Sequence, residues 1–271
     1  MATLTVLQDP LVPVETLTLD SDYLERTVQA DVYLPPGLTQ WENLPLLLVN
    51  DGQDLPKMPF DAILAELYGQ QAIEPLLVVA IHCGPERKME YGTAYAADYL
   101  GRGAKAGRYV KFIFEELLPA VRKKYQVVSF REKSFAGFSL GGLSALDIGW
   151  NHASEFTKIG VFSGSLWWRR KSYEDGYDEE TDRLMHLQVR KGKFHPWMRF
   201  FLQTGTLDET ADRNQNGVID AIDDALDLLV ELRAKGFTDQ HLHYLELEDG
   251  KHDVPTWGRA FPAFLRWGWS K

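Results

Sequence analysis

Hydrophobic positions along this chain follow two periods. From Glu15 to Leu34 they alternate with polar ones, which predicts two strands, Glu15–Leu19 and Gln29–Leu34. A turn at Leu24-Glu25-Arg26 joins them and Pro35-Pro36-Gly37 ends the pair, so the two read as an antiparallel hairpin at a sheet edge. Leu44–Val49 and Leu76–Ile81 are nearly continuous in apolar residues, as central parallel strands buried on both faces require. Between them Phe60, Ile63, Leu64 and Leu67 recur at helical spacing over Phe60–Tyr68. Tyr109, Phe112, Ile113, Leu117 and Val121 do the same, and predict one long amphipathic helix over Gly101–Tyr125. Further strands follow at Ser134-Phe135-Ala136, Lys158–Phe162, Phe200–Gln203 and Leu242–Leu247. Helices are predicted at Leu143–Ile148, around Asp182–Val189, at Asp220–Lys235 and over Thr256–Trp267. This alternation predicts an α/β fold, a mostly parallel central sheet of about eight strands with helices on both faces. No repeat or linker-like stretch divides the chain, so residues 1–271 read as a single domain, with residues 166–196 as a lid-like or pocket-lining insertion.

Composition narrows the partners. Of 271 residues, 45% are hydrophobic and 25% charged, an ordinary globular balance, and the net charge of −10 argues against nucleic acid, whose phosphates need a basic footprint. No apolar run is long enough to span a bilayer, so no membrane partner is expected. Met1–Pro10 lacks a basic region followed by an apolar core, and a cytoplasmic location is the simplest expectation. Cys83 is the single cysteine, so no internal disulfide can form, and it reads as a small buried filler. Nothing in the pattern speaks to oligomeric state.

The stretch Gly137-Phe138-Ser139-Leu140-Gly141-Gly142 changes the picture from architecture to chemistry. It joins a short β-prone run to a helix, and G-x-S-x-G in that setting is a nucleophile elbow. Ser139 must take a strained backbone to project its hydroxyl, the flanking glycines leave room for the turn, and the helix aims its N–H groups at the site. A serine hydroxyl needs a base and a group that orients the base. In a hydrolase of this architecture they follow in the order Ser, acid, His. Asp208, in the loop past the strand Phe200–Gln203, is the favoured acid, with Glu209 and Asp212 as alternatives. His252, just past the last strand, is the favoured base over His82, His152, His186, His241 and His243. For an oxyanion hole the N–H of Leu140 is one candidate, and that of Gln53, in Asn50-Asp51-Gly52-Gln53-Asp54, is the second.

These pieces carry a resemblance. Asn50-Asp51-Gly52-Gln53, Glu90-Tyr91-Gly92-Thr93, Glu116-Leu117-Leu118-Pro119, the elbow, Phe162-Ser163-Gly164-Ser165-Leu166-Trp167-Trp168, Gly205-Thr206-Leu207-Asp208-Glu209 and Gly250-Lys251-His252 span nearly the whole chain. Together they resemble the putative-esterase family of α/β-hydrolases, and the Ser-Gly-Ser-x-Trp-Trp piece resembles its enterochelin-esterase-like branch. The resemblance implies an α/β-hydrolase fold, ester hydrolysis of a small molecule and a triad of Ser139, Asp208 and His252. Val254 departs from the family pattern, where many members have tryptophan, and the acyl and alcohol groups are not fixed by the likeness.

Arg87, Glu90, Trp167, Trp168 and Arg169 follow strands at the same end of the predicted sheet and are candidates for the substrate pocket, where aromatics beside cations suit an aromatic or acidic group. One more motif lies past the acid. In residues 212–223, Asp212, Asn214, Asn216, Asp220 and Asp223 stand at positions 1, 3, 5, 9 and 12 of a calcium-loop spacing, with Gly217 at position 6 and the Val218 carbonyl at position 7. A structural calcium ion is therefore expected, and no organic cofactor. The expectation is a serine esterase. An acyltransferase on the same scaffold and a non-catalytic calcium-dependent binding module are the rival readings.

Overall fold

In a computed structural model, residues 12–37 and 41–271 are described. Met1–Pro10, discussed above for its lack of a leader pattern, lies outside them. The strands are β1 (Val14–Ser21), β2 (Arg26–Tyr33), β3 (Pro45–Asn50), β4 (Leu77–Ile81), β5 (Glu132–Phe138), β6 (Lys158–Phe162), β7 (Arg199–Leu207) and β8 (Leu242–Lys251). They form one eight-stranded sheet in the order β1-β2-β4-β3-β5-β6-β7-β8. The β1–β2 hairpin lies antiparallel at one edge, and the six strands from β4 to β8 in that order run parallel.

Alternate residues of each central strand feed two cores, because successive side chains leave opposite faces of a sheet. Leu46 and Leu48 join Tyr109, Phe112, Leu143, Leu146 and Leu228 on one side, while Leu47 and Val49 join Phe60, Leu64, Phe261 and Phe264 on the other. The continuous apolar runs are thus explained by helices on both faces, as expected.

The long helix expected over Gly101–Tyr125 is shorter and interrupted. It begins at Ala106, because Gly101 and Gly103 take positive φ of 75° and 81°, outside the helical region. A wide π turn occupies Phe112–Leu117 before the helix resumes at Leu118. The segment between β6 and β7 carries short helices at Glu179–Asp182 and Leu184–Lys191 and is pinned to the core by Trp168, Leu184, Met185 and Val189. Among the described residues, no helix is long and apolar enough to cross a membrane.

Candidate active site

Ser139, at the end of β5, has φ 53° and ψ −123°, a conformation costly for any residue with a side chain, and stands immediately before the helix Leu140–Asn151. The turn closes only because its neighbours are glycine. A Cβ on Gly137 would fall 2.4 Å from the Gly141 carbonyl, and one on Gly141 2.5 Å from Asp51 Oδ2. Asn50, at the end of β3, braces the turn: its Nδ2 donates to the Gly141 carbonyl at 2.8 Å, and its Oδ1 accepts from the Tyr109 hydroxyl at 2.6 Å. The Ser139 hydroxyl is partly exposed and lies 3.5 Å from that of Ser165.

Asp208 and His252 are brought together by the far pair of strands. Both β7 and β8 run four residues past their expected ends, so that Leu207 pairs with Lys251 after a register shift beyond Gly205. Asp208 and His252 are the next residues on each strand and leave the sheet side by side. The extension needs a close backbone approach, since a Cβ on Gly205 would sit 2.4 Å from the Gly250 carbonyl carbon. Neighbouring strand ends β5, β6, β7 and β8 therefore present Ser139, Ser163, Asp208 and His252 on one rim of the sheet, where sites of open α/β sheets lie.

A cavity of about 230 Å³ opens there, lined by Ser163, Gly164, Trp167, Asp208, Glu209 and His252 among others. Asp208 is almost wholly buried and accepts from Ser163 Oγ at 3.1 Å and from the Gly205 N–H at 3.1 Å. Burial pushes its carboxyl up, while those two donors and the neighbouring His252 hold it down. His252 is solvent-exposed, but loss of water on the side packed against Trp257 pushes its imidazole below the ordinary value, Asp208 pulls it back up, and the Arg87 guanidinium lowers it again. Among the described residues, no hydrogen bond joins the His252 ring to Ser139 or Asp208; catalytic contacts of this kind often tighten only when substrate arrives.

The loop of Gln53 follows β3, the strand beside β5. Leu140 opens its helix, so its N–H has no intrahelical acceptor. Gln53 sits in a 3₁₀ turn, Gly52–Lys57, and its side chain is held by Cys83, whose N–H it accepts at 3.1 Å and whose sulfur it donates to at 3.2 Å. Burial pushes the Cys83 thiol up to about 11, which suits a filler. Arg87, a pocket candidate, lines neither cavity at the site: it grips Asp51 through two bonds of 2.6 and 2.7 Å and so braces this loop.

The remaining pocket candidates separate. Trp167 lines the cavity of Asp208 and also a second of about 320 Å³, walled by Tyr99, Arg102, Arg169, Tyr173, Glu209 and Asp220 among others. Arg169 is buried there between aromatic rings, 4.7 Å from Tyr99 and 3.9 Å from Tyr173. Glu90 and Trp168 line neither cavity. Glu90 is wholly buried in a two-bond pair with Arg26, at 2.8 and 2.7 Å, and Trp168 packs under Gly92 and Gly103 in the core. Both follow the same strand ends as true rim residues, so position along the chain could not separate them.

The other histidines are engaged elsewhere. His82 bonds Asp31 at 2.7 Å, His186 is buried against the Asp224 carbonyl, His241 caps Thr238, His152 packs on Phe114, and His243 stacks on Phe201. Two residues given no role in the sequence reading also touch the site. Ser163 binds Asp208, and Trp257 donates from Nε1 to Ser163 Oγ at 3.0 Å. Ser163 stands in the quoted Ser-Gly-Ser motif, which was the available signal; Trp257 had none beyond its place on the last helix.

In the acid loop, Asp212, Asn214, Asn216 and Asp223 converge. Asp212 accepts from the N–H groups of Asn216 and Gly217, and both asparagine amides donate to Asp223 Oδ2 at 2.9 Å. Gly217 takes φ 87° at the sharp turn. Asp220 points instead to Arg213, accepting its backbone N–H at 2.8 Å; in such loops position 9 often acts through water. Among the described residues, no three His, Cys, Asp or Glu side chains form a metal-holding group, so a cation here would depend on the two amides and the Val218 carbonyl.

The sheet order, the strained serine and the rim define an α/β-hydrolase fold. Residues 21–267 match the model of a family described as putative esterase, and the chain belongs to that family. No curated protein matches. Among solved structures, the chain is similar to the enterobactin esterase of Shigella flexneri determined with enterobactin, at 20% identity and TM-score 0.73, covering 97% of this chain and 60% of that one. An IroE-like serine hydrolase from Shewanella oneidensis matches at 19% identity and TM-score 0.70, over 94% of this chain and 79% of its own. A siderophore hydrolase, EstB of Aspergillus nidulans, matches at 18% and TM-score 0.65, over 97% of both chains. This chain spans 60% of the length of the enterobactin esterase.

Proposed function

We propose that this protein is a serine esterase. Ser139 Oγ attacks the carbonyl of a small-molecule ester, and His252 takes its proton and returns it to the leaving alcohol. Asp208 orients the imidazole and stabilises its charged form. The Leu140 and Gln53 N–H groups hold the oxyanion, and water, activated by His252, then releases the acid from Ser139. The observation that carries this reading is the Leu207–Lys251 pairing, which sets Asp208 beside His252 on the rim that the strained Ser139 shares. Family membership supports the same chemistry, and the neighbours named for siderophore or enterobactin hydrolysis make esters of that kind the first substrates to try. Trp167 and Arg169 would then wall the acyl or alcohol site.

The test is labelling with a fluorophosphonate probe, which forms a stable adduct only with an activated serine. Wild type is expected to label and Ser139→Ala to stay blank. A folded wild type that neither labels nor hydrolyses any ester overturns the reading.

We further propose that Asp212, Asn214, Asn216, the Val218 carbonyl, Asp223 and, through water, Asp220 hold a calcium ion with a structural role. The spacing of the oxygen donors and their convergence support it. The ion would stiffen the segment that follows Asp208 and leads to Ala221, which lines the same cavity.

A further inference from the structure

Two hydrogen-bonding groups lie in a line with the proposed acid. Trp257 Nε1–H meets Ser163 Oγ at 3.0 Å, and Ser163 Oγ meets Asp208 Oδ1 at 3.1 Å. All three residues are buried, at 7%, 2% and 8% exposure, although Ser163 and Asp208 also form part of the cavity wall. The direction of the line is decided by valence. An indole N–H can only donate, so Ser163 Oγ accepts from Trp257, and its single proton is left for the carboxylate, which accepts. Asp208 Oδ1 therefore receives a hydrogen bond whose donor is itself polarised by a second one. Ser163 is held for this task at φ 45°, a region that side chains rarely adopt.

Trp257 reaches the other parts of the site as well. Its ring stacks on Phe138, the residue before Ser139, at 4.9 Å and 17°, and stands edge-on to His252 at 5.4 Å and 82°. One side chain thus touches the residue before the nucleophile, the ring of the base and, through one hydroxyl, the acid. We infer that Ser163 and Trp257 are positioning residues that hold the Asp208 carboxylate ionised and turned toward His252. The inference rests on the triad proposed above.

Loss of the Ser163 hydroxyl removes a donor from a buried carboxylate. The ionised form is then less favoured, and its pull on a charged His252 is stronger. Both effects move the acid limb of the rate profile to higher pH. The other charged or titratable groups about this pair are Asp253 from the loop after β8, Tyr244 on β8, Glu209 beside Asp208, and Arg87 facing His252; none of them changes in the variants below.

The experiment compares Ser163→Ala, Ser163→Gly and Trp257→Phe with wild type on a 4-nitrophenyl ester across pH, with folding checked by circular dichroism. Glycine relieves the positive φ and alanine does not, so an effect common to both belongs to the hydroxyl and not to backbone strain. Both are expected to lose about 10- to 100-fold in kcat with KM little changed, and to shift the acid limb upward. Trp257→Phe is expected to shift the limb in the same direction by less. If both Ser163 variants keep wild-type kcat and acid limb, the inference is overturned. Ser139→Ala in the same series separates the two ideas: activity retained there defeats the triad itself, whereas activity lost there and unchanged in the Ser163 variants defeats only the positioning pair. Should alanine fail to fold, the glycine variant alone decides.

Discussion

The rim is assembled in two different ways at its two ends. At β5 the strained turn that presents Ser139 is built within six residues, from small neighbours and a helix that starts at once, and Asn50 only braces it from β3. At β7 and β8, Asp208 and His252 are distant in sequence and meet because two strands continue past a register shift, with Gly205 and Gly250 back to back. The first arrangement is mostly local. The second is a product of sheet pairing and is lost if the pairing slips, since one residue of slip turns every side chain to the opposite face.

Substitutions can break this contrast. The largest effect is expected at the local end, where Ser139→Ala should lower kcat/KM by roughly 10⁴- to 10⁶-fold while thermal unfolding stays near wild type. Next is Gly205→Ala, whose new Cβ would meet the Gly250 backbone at 2.4 Å. It should cost about 1–3 kcal/mol in stability by overpacking, and about 10²-fold in kcat by displacing the acid from the base. Urea unfolding alongside steady-state kinetics checks both, and a stability loss with normal kcat would show that the strand ends do not set the geometry.

A smaller effect concerns pH. Partial desolvation of its packed side and Arg87 depress the His252 pKa, so the base stays neutral to lower pH than a free imidazole, and the acid limb of kcat/KM should lie below about 6.5. Arg87→Met removes a cation facing the ring and uncovers the Asp51 charge, and both changes favour the imidazolium. The limb should therefore move upward; a downward shift would mean that Arg87 does not face the imidazole in solution.

The smallest effect is expected from the acid loop. With calcium at about 100 times its dissociation constant, binding adds ~2.7 kcal/mol, which raises Tm by several degrees. Asp212→Ala should erase the calcium-dependent part and Asp223→Glu, restoring the longer ligand usual at position 12, should tighten binding. An identical Tm with calcium and with chelator removes the metal from the account.

What could be read from the chain alone follows from how local each feature is. The alternating and continuous apolar runs announced all eight strands, because burial on one face or two imposes its own period on the sequence. The strand Lys158–Phe162 and the helix Asp220–Lys235 came out with the bounds observed. The elbow was legible because its steric demands fall on adjacent residues. Glu90 and Trp168 read as pocket residues because loop position does not reveal a buried partner, and Arg26 and the Gly92–Gly103 seat lie far away in sequence. The helix over Gly101–Tyr125 was overextended because apolar spacing does not register the positive φ of two glycines. Tertiary structure alone decided that β7 and β8 run on to Leu207 and Lys251, that Asp51 and Arg87 join, and that Trp257 reaches Ser163 from the last helix. Each depends on a contact between distant segments, whose geometry is set by packing and not by the period or turn chemistry of either segment.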